Sequence, residues 1–243
     1  SIDIYIFYLI SDKFTTMTMK KAPEELRFAA MAVDAVIFGI VDKKLHVLVQ
    51  NVVRPPHYVN MPGFPGGLID KTETAEDAVV RHLAEKVHLP VKDVYTEQLY
   101  TFSAINRDKR NRVISVGYVG CVKPEVIEAY AYGDATWVPV KKLDRLAYDH
   151  DDMYAKAVER LRGKLSYTTV AQFLLPNFFT LTELQEVYEV ILGTDLDKRN
   201  FRKKILALDV VKETGRMQEG VKNRPAALYA FKSKTIKELP PVV

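Results

Sequence analysis

From residue 28 onward, apolar runs alternate with polar breaks, and the period of the pattern changes along the chain. Residues 28–40 (FAAMAVDAVIFGI) and 45–53 (LHVLVQNVV) are apolar stretches that read as strands. Residues 41–44 read as the turn between them. The run Arg54-Pro-Pro-His57 ends the second strand, because proline cannot donate to a ladder. A loop rich in glycine (Gly63, Gly66, Gly67) leads into a helix that starts near Thr72 or Thr74 and stops before Pro90. Residues 99–105, 112–122 and 135–140 read as further strands. A polar turn over residues 106–111 joins the first two, with Asn111 suited to a left-handed conformation. Residues 151–161 read as a helix, and residues 165–175 as a helix or bridge that ends at Pro176.

Beyond that proline the period is helical. Leu184, Val187, Tyr188, Ile191 and Leu192 recur at i, i+3, i+4, i+7 and i+8. Thr180 and Glu183 have capping-box spacing, and Gly193 closes the helix. Asp197 is placed to cap a second helix, KRNFRKKILAL, with Phe201, Ile205 and Leu208 on its apolar side. Residues 210–213 and 227–231 are short strand candidates around a polar tip. Helix, turn, basic helix and two-stranded hairpin is the order of a winged helix-turn-helix.

Charge sharpens this reading. The chain carries a formal +4, yet residues 198–243 hold twelve Lys and Arg against four acidic residues, so the rest is mildly acidic. Basic charge on a helix and wing is the footprint of a phosphate-binding surface. The DNA-contact candidates are Lys198, Arg199, Asn200, Arg202, Lys203, Lys204, Lys222, Asn223 and Arg224. Arg pairs with guanine and Asn with adenine, so Arg199, Asn200 and Arg202 are the candidate base readers. Lys203, Lys204, Lys222 and Arg224 are better placed for phosphates, while Phe201 faces inward onto Leu184 and Tyr188. Cys121 is the single cysteine, so no internal disulfide forms, which points to a reducing compartment and a cytoplasmic protein. No apolar run reaches the roughly 20 residues of a membrane span, so no membrane partner is expected. The first 27 residues read as an N-terminal extension without signal-peptide features.

The glycine loop and its helix carry the candidate chemistry. Gly67, Glu73, Arg81, Leu83, Glu85 and Leu89 match the spacing G-x5-E-x7-R-E-U-x-E-E-x-G-U, where U is a bulky aliphatic residue. This resembles the Nudix box, with His82 and Lys86 where the box has carboxylates and His88 where it has glycine. Nudix enzymes cleave a diphosphate linked to a second moiety, using magnesium or manganese held by the helix carboxylates; such hard cations take oxygen ligands. Positions 82, 85 and 86 share a helix face. Here that face offers an imidazole, a carboxylate and an ammonium. Imidazole is a poor magnesium ligand, and Lys86 supplies beside Glu85 the charge a metal would have supplied. The resemblance implies a Nudix α/β/α sandwich whose metal-dependent catalysis is lost or crippled. It leaves no catalytic or metal role assigned to Gly67, Glu73, Arg81, His82, Glu85 or Lys86. The plainer reading of Arg81 and Glu85, an i,i+4 ion pair, is compatible with it. Residues 107–118 are similar to the R-D-P-R-G-R-V-x-S-V-x-Y segment of the ADP-ribose-handling branch, with Lys109 and Asn111 replacing Pro and Gly. By position, Arg54, Arg107, Arg112 and Glu85 are the ligand-binding candidates, although each arginine also suits a surface salt bridge.

A degenerate box joined to a winged helix resembles the Nudix-related transcriptional regulators. These include regulators of NAD metabolism that sense ADP-ribose, and relatives that regulate sugar catabolism. The resemblance implies a Nudix domain over residues 28–148, linker helices over 149–176 and a winged helix-turn-helix over 177–243. It also implies a homodimer that reads a palindromic double-stranded DNA operator as a repressor, with ADP-ribose or a sugar as effector. No cofactor is required, magnesium being needed only if hydrolase activity remains. Two rivals stand beside this reading. One is a working ADP-ribose pyrophosphatase-like hydrolase, with Glu73, Glu76, Asp77 and Glu85 as a weaker metal site and a C-terminal dimerisation domain. The other is a bare nucleic-acid-binding module with a vestigial pocket.

Overall fold

The computed structural model describes residues 29–242, apart from 91, 93, 130, 131 and 221–223; residue 28, the N-terminal extension, and Lys222 and Asn223 lie outside the described residues. The first two strands, β1 (Ala30–Val41) and β2 (Lys44–Arg54), meet in a hairpin whose two turn residues, Asp42 and Lys43, have φ of 46° and 57°. That turn geometry matches the right-handed twist of the strands it joins. The chain continues through β3 (Tyr58–Gly63), β4 (Gly66–Leu68), α1 (Ala75–Val87), β5 (Val94–Phe102), β6 (Val113–Val122), α2 (Pro124–Ala129) and β7 (Ala135–Pro139). Then follow α3 (His150–Tyr167), α4 (Leu181–Leu192), α5 (Lys198–Ala207), β8 (Val211–Met217) and β9 (Ala227–Phe231).

Several boundaries differ from expectation, each for a physical reason. The glycine-rich loop contains two strands: β3 pairs with β2, and β4 places Gly66 opposite Asp34 of β1. Backbone pairing defines these segments, so residue propensity does not reveal them. The strand expected over residues 99–105 begins at Val94 and ends at Phe102. Helix α2 was not anticipated; Pro124 is its first residue, where the missing N–H costs nothing. Asn111 is not left-handed, whereas Tyr148 is, with φ of 58°.

The large sheet runs β3-β2-β1-β6-β5, with β4 and β7 pairing β1 and β2; the β1–β6 pair is parallel. Successive side chains on a strand point to opposite faces. In β1, Val33, Ala35 and Ile37 pack with Ala78, Val79, Leu83 and Val87 of α1, while Val36 and Phe38 face Met153, Ala157, Leu161 and Leu165 of α3. The fold is an α/β/α sandwich carrying a C-terminal winged helix.

Residues 149–176, expected as linker helices, contain the 18-residue α3 and a short 3-10 turn at Val170–Phe173. The apolar cluster beneath α3 runs without interruption from the sheet into α4 and α5, through Leu174, Phe179, Leu184, Tyr188 and Phe201. The C-terminal tail closes over the end of α3: Leu239 N–H donates to Tyr167 O at 2.7 Å and Val242 N–H to Ser166 O at 2.7 Å. Among the described residues no helix is long and apolar enough to cross a membrane.

Candidate functional site

Helix α1 starts where Thr74 and Asp77 form a reciprocal capping box, and ends at His88 in a left-handed conformation, φ 52°. The box has glycine at that place because such a conformation costs a residue bearing a Cβ. Arg81 forks onto Glu73, Nε to Oε2 at 3.0 Å, and also reaches Leu68 O at 3.2 Å. Arg81 and the Asp70 N–H hold the Glu73 carboxyl down at about 2. Glu73 and Arg81 therefore clasp the loop to the helix, and the ion pair from Arg81 to Glu85 is the weaker contact, at 3.5 Å.

The two departures from the box turn inward. His82 Nε2 lies 2.9 Å from Leu68 O, and Lys86 Nζ donates to Gly66 O. A carbonyl only accepts, so the His82 proton sits on Nε2, leaving the buried Nδ1 without a partner among the described residues. Burial pushes the His82 pKa down, Lys86 and Arg81 add to that, and the bond to Leu68 opposes it. Burial likewise lowers Lys86. Gly67 leaves the space that His82 takes: a Cβ on it would stand 2.6 Å from His82 Cε1.

This face is one wall of a cavity of about 580 Å³. Arg54, Arg81, Lys86, Arg107 and Arg110 line it, against Asp34, Asp70 and Asp108, so its walls carry an excess of positive charge. Of the ligand-binding candidates, Arg54 and Arg107 are among the lining residues. The other two candidates, Arg112 and Glu85, do not line the cavity. Arg112 Nη1 is turned onto Ala104 O at 3.1 Å, and the Glu85 side chain is 61% exposed on the outer face of α1.

Beneath the cavity lies a charged network that the sequence did not disclose. Arg107, 5% exposed, forks onto Asp149 with contacts of 2.8–3.1 Å and reaches Asp34 Oδ2 at 3.3 Å. Ser115 Oγ donates to Asp34 at 2.7 Å, and the Phe64 N–H donates to His150 Nδ1 at 2.9 Å. That bond puts the His150 proton on Nε2, 3.6 Å from Asp34 Oδ1. Burial raises the Asp34 carboxyl, but His150, Arg107 and Ser115 outweigh it and hold it below its ordinary value. One signal was available: Asp34 is the lone charge in AMAVDAVIFGIV. Tyr148 forms an aromatic side wall, 4.3 Å from Tyr58 between ring centroids, with Arg110 over its face.

A magnesium ion does not fit the helix face. Its residues are an exposed carboxylate, an imidazole whose Nε2 is already used, and an ammonium with no lone pair. Among the described residues no three His, Cys, Asp or Glu side chains gather as a metal site.

In the winged helix, Thr180 and Glu183 form the capping box of α4, and Gly193, φ 74°, ends it. Gln185 donates to Glu189 and to Leu196 O, while Glu189 accepts the Leu196 N–H, which fixes the turn before α5. Asp197 caps α5 by accepting from Asn200 N–H at 2.8 Å. Phe201 is buried on Tyr188, ring centroids 5.1 Å apart. Lys198, Arg199, Asn200, Lys203 and Lys204 are exposed on α5, as is Arg224 on the wing. Arg202, on the same helix, is half-buried, and its Nη2 donates to Thr182 Oγ1 of α4 at 3.0 Å.

Comparison with known proteins agrees with this architecture. Residues 30–160 match the NUDIX domain model, and residues 171–231 the NrtR DNA-binding winged helix domain. An ADPR responsive transcriptional repressor, NtrR, of Acinetobacter baylyi is 32% identical over 208 residues, 83% of this chain and 81% of that protein. A crystal structure of Shewanella oneidensis NrtR complexed with a 27mer DNA is 35% identical, with a TM-score of 0.72, covering 83% of this chain and 93% of that one. An ADP-ribose pyrophosphatase of Methanocaldococcus jannaschii is 30% identical over 123 residues, 50% of this chain and 69% of that protein. With a Nudix sandwich, a basic cavity and an NrtR winged helix joined in one chain, the protein belongs to the NrtR family of Nudix-related transcriptional regulators.

Proposed function

We propose that this protein is a cytoplasmic ADP-ribose-responsive repressor that binds palindromic DNA as a homodimer. The observation that carries the reading is the junction of two sites on one helix. The Arg107–Asp149 pair at the cavity floor grips the start of α3, and α3 shares its apolar core with α4 and α5. Its far half is tied to α4 by Arg162 Nε, which donates to Ile191 O at 2.9 Å. A ligand that moves the cavity floor would tilt α3 and, through it, the winged helix. Paired recognition helices must meet half-sites one helical turn apart, so a small tilt reduces operator affinity. Ligand and DNA then weaken each other by the same factor. Titrating ADP-ribose into the operator complex should release DNA, with two chains bound per duplex before release. DNA affinity that ignores saturating ADP-ribose would defeat the proposal, as would one chain per duplex.

The base readers are Arg199 and Asn200, and Arg202 holds α5 against α4. We expect Arg199→Ala to cost about 1–3 kcal/mol on the preferred operator and to relax selectivity. Arg224→Ala should weaken binding to every duplex and lower the salt slope by about one ion. Titrations on operator and scrambled duplexes over a range of salt separate the two. Unchanged binding in both variants would remove α5 and the wing from the interface.

ADP-ribose hydrolysis should be negligible with magnesium or manganese, because His82 and Lys86 offer no ligand to a hard cation. Turnover within the ordinary enzyme range of about 1–1000 per second would replace this reading with that of a hydrolase.

A further inference from the structure

We propose that Lys86 takes the place of the divalent cation in this Nudix box, so that the cavity receives the diphosphate of its ligand on a built-in ammonium and needs no metal. This deepens the effector reading above and rests on it for the identity of the full ligand.

Three observations carry it. Lys86 Nζ is anchored on the Gly66 carbonyl in the cavity wall, which uses one of its three N–H donors and leaves two for a ligand. Among the described residues no carboxylate lies within 4.0 Å of Nζ, nor of the Arg54 guanidinium, whereas Arg81, Arg107 and Arg110, which also line the cavity, are all ion-paired. Lys86 is thus a positive charge held in place by a carbonyl, with no carboxylate partner among the described residues. Beside it, His82 is turned onto the carbonyl of Leu68, on the same short strand as Gly66, at 2.9 Å. Gly67 makes room for both, since a Cβ there would stand 3.0 Å from Lys86 Nζ and 2.6 Å from His82 Cε1.

The chemistry follows from charge. A diphosphate presents anionic oxygens, and a metal bridges them to the helix carboxylates in the usual box. Here the helix carries no carboxylate on the cavity side, so a bound cation would meet Lys86 and be repelled. An ammonium at that position reaches the phosphate oxygens directly and forms charge-assisted hydrogen bonds with them. Burial lowers the Lys86 pKa, and an anion bound beside it would favour the charged form again.

Calorimetry on the full chain tests this with two probes, ADP-ribose and inorganic pyrophosphate, each in EDTA and in millimolar magnesium. The wild type should bind in EDTA, with no gain in affinity from magnesium. Lys86→Gln should lose about 10- to 100-fold, the worth of a charge-assisted hydrogen bond, and Lys86→Arg should retain most of the affinity. Thermal melts of both variants confirm that the fold is kept. Pyrophosphate binding that depends on Lys86, without ADP-ribose binding, would support this inference and refute the effector reading. Binding that requires magnesium, Lys86→Gln binding like wild type, or no binding of either probe in EDTA would overturn it.

Discussion

Arg107→Ala should destabilise the protein by about 3–5 kcal/mol, because it takes from two mostly buried carboxylates, Asp34 and Asp149, the cation they share. For a chain of this size each kcal/mol corresponds to roughly 2–4 °C, so the melting temperature should fall by about 10 °C. The variant should also respond differently to acid. The folded-state pKa of Asp34 lies below its unfolded value. Its contribution is therefore complete above about pH 4 and lost as the pH falls through the folded value. Without Arg107 that depression shrinks, and the acid limb of the stability curve should flatten. Melting curves from neutral pH downward would show both effects. A variant that melts with the wild type would mean that the network holds nothing in place.

The second large effect is expected at Phe201. This ring is 5% exposed and sits edge-on against Tyr188, as the main apolar anchor of α5 together with Ile205. Truncation to alanine should cost about 3–5 kcal/mol, most of it as cavity formation and lost contacts. Operator binding should fall with it, because α5 would no longer be presented rigidly. Ligand binding in the Nudix cavity should persist, since Phe201 does not line it. Denaturant unfolding and operator titration check the first two effects, and calorimetry the third. Operator affinity equal to wild type in Phe201→Ala would show that α5 is positioned by other contacts.

What could be seen in the sequence was local. The Thr180–Glu183 capping box, Gly193, the Asp197 cap and the inward face of Phe201 all depend on spacings of a few residues, and each is present as expected. The Nudix helix was legible for the same reason. The cavity floor was not, because its partners are remote: Arg107 lies 42 positions from Asp149 and 73 from Asp34. Arg112 and Glu85 were assigned by position along the chain, and the direction of a side chain from a strand end or helix face is not written there. Arg202 shows the same limit, since its helical position fits a base reader but its guanidinium is held by Thr182 across the bundle. Strands β3 and β4 escaped because glycine and proline mark turns, whereas an edge strand needs only a partner backbone.

The closure of the C-terminal tail over α3 bears on how new regulators might be assembled from this one. A chimera cut at Pro176 would separate Leu165 and Leu174 from the surfaces that cover them and would leave Ser166 and Tyr167 carbonyls without the tail that reaches them. The transferable unit is longer than the winged helix: it begins within α3, near Ala157, and ends at Val242. A foreign sensor grafted onto this reader must therefore supply the first half of a helix, in register, rather than a flexible tether.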